Sequence, residues 1–293
     1  MARMHEAVRG TCPSMRRSEI IEADVERFWK ACMTARVCEM TNNMNHDTRP
    51  SLGLETIPNA RDLGGLAGLS GRRVRSGKLY RSANPALASA ADLDRLHSLD
   101  LDIVVDFRSP GEKSPAEAAF GERFHWLAVP VLEGSMAMDV LVPRLRASTP
   151  TQMHDFMLDV YRDFPVRYRE AFGAFLRHAE AGRTLFYHCT AGKDRTGFAS
   201  LLLLSALGVS QDEIVANYLE SNHWNRRLNE DVLARVAPIG VDADVIMPLL
   251  EVRPEYLETS MDAIAQAYGS VEQFLADDLR IDVGQLRGHY LED

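Results

Sequence analysis

From about residue 59 onward, two spacings of apolar positions alternate along the chain. Short runs rich in β-branched, aromatic or aliphatic residues read as strands: Lys78-Leu79-Tyr80-Arg81, Asp102 to Phe107, His125 to Val129 and Thr184 to His188. Other stretches repeat their apolar residues every three or four positions, the period of a helix with one buried face. Ser89-Ala90-Ala91-Asp92 supplies an N-cap and an acidic first turn, with Leu93, Leu96 and Leu99 following on one side. Thr151 to Ala181 carries a long helical period that Pro165 interrupts. Arg195 to Leu207 is apolar on nearly every side, which predicts a buried helix closed by Gly208. Ser210-Gln211-Asp212-Glu213 has the form of a capping box ahead of Ile214, Tyr218 and Leu219. Helices over Val241–Glu251 and Pro254–Tyr268, and a short one capped by Ser270, complete the chain. The pattern predicts an α/β fold: a central sheet flanked by helices, with a C-terminal helical cluster.

Residues 1–50 do not share this pattern. Ser18 to Val37 can place Ile21, Val25, Phe28 and Cys32 on one helical stripe, and the polar run Thr41 to Thr48 reads as a linker. The other reading is that translation starts at Met40 or Met44. Either reading sets residues 1–50, a tail or a mis-assigned start, apart from one domain over 51–293.

Composition narrows the classes of function. The 293 residues include 33 Lys plus Arg against 42 Asp plus Glu, a net charge of −9. A net-acidic chain lacks the basic footprint of a nucleic-acid binder. The longest apolar run, Phe198 to Leu207, is too short to span a bilayer. The four cysteines, Cys12, Cys32, Cys38 and Cys189, show neither zinc-ligand nor disulfide-framework spacing, which points to a reducing compartment. The first residues lack the apolar core of a signal peptide, so a cytoplasmic setting is expected.

The chemistry concentrates in His188-Cys189-Thr190-Ala191-Gly192-Lys193-Asp194-Arg195-Thr196-Gly197. A strand, a Cys-x5-Arg loop and a helix together form a cradle for a phosphate. Backbone N–H groups from Thr190 to Arg195 can turn inward as a nest, and the helix start adds its unsatisfied N–H groups and positive dipole end. Gly192 provides backbone freedom, and Arg195 offers a planar fork to two phosphate oxygens. The same positive field favours a thiolate at Cys189, an in-line nucleophile for phosphorus. Thr196 can donate to the sulfur, and Lys193 adds charge at the rim. Asp194 puts a carboxylate beside a phosphate at a Coulombic cost, which suggests a task in proton transfer. The plainer alternative, a lone buried cysteine acting as a small apolar residue, does not account for the residues around it.

This string resembles the signature loop of the protein tyrosine phosphatase superfamily, and within it the atypical bacterial tyrosine phosphatases. Asn59-Ala60-Arg61-Asp62-Leu63-Gly64-Gly65, Leu79-Tyr80-Arg81-Ser82, Asp106-Phe107-Arg108-Ser109 with Glu112, and Pro254-Glu255-Tyr256-Leu257 through Tyr268-Gly269-Ser270 extend the likeness over about residues 51–293. The resemblance implies a cysteinyl-phosphate mechanism with no metal or other cofactor. It implies Cys189 as nucleophile, Arg195 as phosphate clamp, Thr190, Ala191, Gly192, Lys193 and Asp194 as cradle, and His188 as support for the loop and its thiol. It also implies phosphotyrosine proteins as substrates, with phosphoserine, phosphothreonine or phosphoinositides for some members. The family's general acid, an Asp just after the strand matching His125–Val129, is replaced here by Val131. Asp194 is therefore the first acid to consider, Glu133 the second and Asp106 the third.

Rival readings remain at this level. Lys193-Asp194 also resembles the loops of phosphoinositide phosphatases. A binding-only phospho-recognition module is a further alternative, but it would have no need of the thiol, and a sulfurtransferase fits the Cys-x5-Arg-Thr spacing less well. Arg61, Asp62, Arg81 and Arg108 read more readily as ties between strand ends than as pocket lining. Glu112 either bonds Arg195 or Lys193 or is a solvated turn residue. Tyr161, Phe164 and Tyr168 read as core. A chain shortened to begin near Thr48 is expected to fold and to keep full phosphatase activity; insoluble or inactive protein would make the tail part of the domain.

Overall fold

The structure is a computed structural model that describes residues 52–132 and 138–292, apart from Leu87. The helix expected over Ser18 to Val37 and the candidate acid Glu133 lie outside the described residues.

Among the described residues five strands form one sheet: β1 (Arg61–Asp62), β2 (Leu79–Ser82), β3 (Ile103–Asp106), β4 (Trp126–Ala128) and β5 (Leu185–His188). Their order is β1-β2-β5-β3-β4, with β1 antiparallel to β2 and the other pairs parallel. A strand buried on both faces needs apolar side chains on both, and β3 and β5 supply them. Ile103, Val105, Leu185 and Tyr187 face the larger core; Val104 and Phe186 face a smaller one with Leu96, Phe120 and Ile57. β5 lies at the centre, so the loop after it opens at the carboxyl end of the sheet, where open α/β sheets hold their ligands.

The smaller face is covered by α1 (Ala90–His97) and α2 (Ala118–Arg123). Beyond β4 come α3 (Met138–Ala147), α4 (Pro150–Arg167) and α5 (Arg169–Glu180). After β5 come α6 (Asp194–Ala206), α7 (Gln211–Trp224), α8 (Arg226–Val236), α9 (Ala243–Leu250), α10 (Pro254–Tyr268) and, past a short turn of helix, α11 (Val283–Tyr290). α6 is buried along most of its length, as its all-round apolar pattern predicts. Ser89 and Ser210 accept the N–H groups of Asp92 and Glu213, so both expected N-caps form.

The break expected near Pro165 falls three residues later: α4 runs through the proline to Arg167, and Tyr168 separates it from α5. Proline at 165 removes the helical donor for the carbonyl of Tyr161, and Ser260 Oγ on α10 fills that vacancy at 2.7 Å. A tertiary hydrogen bond thus offsets a local helix breaker. Helices α3, α8 and α11 and the two-residue strand β1 carry patterns too short or too polar to be picked out singly from the sequence.

Candidate active site

The loop from Cys189 to Lys193 joins β5 to α6. Every carbonyl along its middle is held from outside. Thr190 O accepts the N–H of Asn84 at 3.1 Å. Ala191 O accepts Asn59 Nδ2 at 3.1 Å and Asn225 Nδ2 at 2.9 Å. Gly192 O accepts Asn59 Nδ2 and Arg81 Nη2, both at 2.8 Å. A peptide unit points its N–H opposite to its C=O, so fixing these carbonyls outward turns the N–H groups inward. Among the described residues those N–H groups have no hydrogen-bond partner.

Gly192 has φ +64°, and a Cβ there would lie 2.2 Å from Ser82 O. The position therefore requires glycine both for its backbone angle and for its closeness to the end of β2. Arg81, whose Nη1 also reaches Asn217 Oδ1 at 3.0 Å, and Arg61, whose Nη2 reaches Asn217 O at 2.8 Å, are wholly buried behind the loop. Asp62 ties the turn ahead of β2 by accepting the N–H groups of Gly64 and Gly77. These residues hold backbone in place and do not line the opening.

Cys189 sits at the base of the loop, 2% exposed. Arg195, in the first turn of α6, places Nη1 and Nη2 on the two oxygens of Glu112, each at 2.7 Å. Glu112 also accepts Thr190 Oγ1 at 2.7 Å and the N–H of Ser109 at 3.0 Å. Nη1 of Arg195 lies 3.3 Å from both Phe107 O and Val131 O. Nη2 also reaches Thr190 Oγ1 at 3.4 Å, so the guanidinium is fixed through both Nη atoms, and only Nε has no hydrogen bond among the described residues. Val131, where the family's acid was expected, contributes only this carbonyl.

Charge balances pairwise around the loop. Lys193 Nζ lies 2.9 and 2.7 Å from the two oxygens of Asp194, and Asp194 Oδ1 accepts Tyr161 Oη at 2.8 Å. Lys193 is 4% exposed, so it is folded back onto Asp194 and is not at the rim where the sequence suggested. Asp106 is buried, with Arg108 Nε and Nη2 each at 3.0 Å and Lys113 at 3.1 Å; Arg108 continues to Glu117 at 2.7 Å. Asp106 is therefore a structural acceptor, and its pKa lies well below the usual carboxylate range: burial opposes this, but His188 and Arg108 outweigh it. Thr196 Oγ1 is buried without a hydrogen-bond partner among the described residues, so the expected bond to the Cys189 sulfur is not formed here.

The tyrosine phosphatase family model matches residues 52–292. The chain belongs to the tyrosine phosphatase family. It is a phosphatase of the protein-tyrosine type, a phosphoric monoester hydrolase. A Cupriavidus necator protein that bears a tyrosine-protein phosphatase name is 70% identical over 83% of this chain and 89% of its own length. The triple specificity protein phosphatase PtpB of Mycobacterium tuberculosis is 32% identical over 70% of this chain and 86% of its own. The crystal structure of TpbA from P. aeruginosa aligns at 20% identity over 61% of this chain and 89% of that one, with a TM-score of 0.31. Among the described residues no group of three or more His, Cys, Asp or Glu is placed to hold a metal ion, and no helix is long and apolar enough to cross a membrane.

Sequence reasoning about this phosphatase missed Asn217, Asn225 and the Tyr161–Tyr218 pair as neighbours of the loop. The usable signal was a polar residue, Asn217, on the same helical stripe as Ile214, Tyr218 and Ser221, all of them buried. Asn225 had no such signal: it caps the end of α7 and reaches the loop only through the fold.

Two buried groups set the pH response of the site. Burial pushes the His188 imidazole down to about 4, against a smaller upward pull from Asp106. The Arg195 guanidinium overrides burial and draws the Glu112 carboxyl down to about 2. Each binds a proton more readily in the unfolded chain, so stability rises with pH across both windows. The His188 share is complete above about 6.5 and is lost as the pH falls to about 4. The Glu112 share is complete above about 4.5 and is lost toward about 2. Urea midpoints should therefore drop between pH 6.5 and 4.5, and His188→Asn should flatten that segment. An unchanged slope in the variant would remove His188 from the account.

Proposed function

We propose that this phosphatase hydrolyses phosphotyrosine-type and other phosphoprotein substrates through a cysteinyl-phosphate on Cys189. The observation that carries the reading is the loop itself, with its carbonyls tied outward around a buried cysteine and an arginine whose fork is braced by Glu112. In the first step Cys189 Sγ attacks phosphorus in line, the P–O bond breaks, and the leaving oxygen takes a proton from Asp194. In the second, water attacks phosphorus, the P–S bond breaks, and Asp194 takes the proton from that water. The inward N–H groups of Thr190, Ala191, Gly192 and Lys193 and the free side of Arg195 hold the phosphate oxygens, which carry the most charge in the transition state. Glu112 positions Arg195, and His188 and Asp106 support the base of the loop. Thr196, whose buried hydroxyl has no partner among the described residues, donates to the departing thiolate in this reading. A thiolate nucleophile works only where it is kept reduced, which favours a cytoplasmic setting.

A second substrate class, inositol phosphates or phosphoinositides, is favoured by Lys193, whose amine can leave Asp194 for a further phosphate. A panel of phosphotyrosine peptide, phosphoserine peptide and phosphoinositide tests both readings by phosphate release. Cys189→Ser should abolish turnover on each while retaining phosphate binding. Equal turnover by Cys189→Ser and wild type, or loss of activity in EDTA, would overturn the cysteinyl-phosphate.

The acid assignment has its own test. General acid catalysis contributes roughly 10²–10⁴-fold where the leaving oxygen needs a proton. Asp194→Asn should therefore slow an alkyl phosphate by about 10² or more, and p-nitrophenyl phosphate by about 10-fold or less, since that leaving group departs as a stable anion. Equal losses on both would make Asp194 a residue that shapes the loop, and Glu133 the next acid to test.

A further inference from the structure

Asp194 is gripped on two sides by groups of different chemistry. Lys193 reaches both carboxylate oxygens from the loop. On the other side stands a chain of two phenols: Tyr161 Oη on α4 lies 2.8 Å from Asp194 Oδ1, and Tyr218 Oη on α7 lies 2.6 Å from Tyr161 Oη. Both tyrosines are buried, Tyr161 at 0% and Tyr218 at 1% exposure. Burial first, and then the charge of Asp194, pushes both phenols well above their ordinary value, so both keep their protons.

The Tyr161 ring is fixed from several directions. It packs against Phe164 at 4.9 Å, Tyr256 at 5.3 Å and Tyr218 at 6.3 Å between ring centroids. Its own carbonyl, left open by Pro165, is pinned by Ser260. Gly197, one turn along α6 from Asp194, lets the Tyr218 ring approach closely; a Cβ there would lie 2.8 Å from that ring.

An ammonium can only donate hydrogen bonds, whereas a phenol can both donate and accept. With Asp194 ionised, Tyr161 donates to it and Tyr218 donates to Tyr161. With Asp194 protonated on Oδ2, the oxygen that Tyr161 does not touch, the proton stays available to the leaving oxygen and Oδ1 still accepts Tyr161 Oη. Lys193 bonds both oxygens and must give up Oδ2 when the proton sits there, whereas the Tyr161 bond to Oδ1 persists in both states.

We propose that Tyr161, backed by Tyr218, is the positioning residue that keeps the Asp194 carboxyl aimed at the reacting oxygen in both its protonation states. The proposal rests on the reading of Asp194 as the proton donor and acceptor of the two steps.

The test uses the full chain and four variants: Tyr161→Phe, Tyr218→Phe, Asp194→Asn and the double variant Tyr161→Phe/Asp194→Asn. Loss of one charge-assisted hydrogen bond should lower kcat on an alkyl phosphate about 10-fold in Tyr161→Phe, with KM unchanged. The p-nitrophenyl phosphate rate should fall by less than about 3-fold, because that leaving group needs no proton. Tyr218→Phe should show the same substrate selectivity at smaller size, and it carries the test if Tyr161→Phe does not fold. The double variant should be no slower than Asp194→Asn alone, since two residues acting through one proton do not add. Equal losses on both substrates in the tyrosine variants, or a double variant slower by the product of the two effects, would leave the phenols as packing and overturn the proposal. If Asp194→Asn is selectively slow on the alkyl phosphate and the tyrosine variants are not, the acid assignment stands and the positioning role falls. If Asp194→Asn spares the alkyl phosphate, the acid assignment fails first and the positioning role with it.

Discussion

The outward hold on the carbonyls of Thr190, Ala191 and Gly192 is the constraint on which the site depends. Successive peptide units can present their N–H groups to one side only if their C=O groups have other partners, since an unpaired buried carbonyl costs as much as a lost hydrogen bond. The Asn84 N–H and the side chains of Asn59, Arg81 and Asn225 are those partners, drawn from different parts of the chain. The side-chain donors are two amides and a guanidinium. Arg61 in turn holds Asn59 and Asn217, and Asn217 holds Arg81. Much of the polar interior behind the sheet thus exists to orient one loop.

The second constraint is charge. A loop built to attract a dianion would strain the apo protein if its cations were left bare in a low-dielectric interior. Three of the buried cations therefore meet carboxylates, Arg195 on Glu112, Lys193 on Asp194, and Arg108 on Asp106 and Glu117, while Arg81 meets amide and peptide oxygens. The pairings differ in what they leave free. Glu112 takes both Nη atoms of Arg195 and leaves Nε open. Asp194 takes the whole amine of Lys193, so Lys193 contributes to binding only if that pair opens. The Coulombic cost that first drew attention to Asp194 is therefore partly offset within the loop. What singles out Asp194 in the structure is its contact with Tyr161, whose hydroxyl can serve either protonation state.

The ten residues from His188 to Gly197 determined by themselves that a strand, a loop with a cysteine at its base and a buried helix follow one another here, because that segment is contiguous and its pattern follows from residue type and spacing. The strands β2 to β5 and the capped helices were legible for the same reason: alternation, apolar runs and N-caps are local patterns. Only the tertiary structure decided how the loop is held. Asn59 and Glu112 stand 132 and 83 residues from the atoms they bond, and nothing in their neighbourhood distinguishes a loop-holding Asn or an arginine-bracing Glu from a solvated one. It also decided that α4 continues through Pro165, because the missing donor is replaced from α10, and that Lys193 folds inward. Local sequence fixes what a segment can offer, whereas long-range packing selects which donors and acceptors meet, since a hydrogen bond depends on a distance and an angle that residue spacing alone does not set.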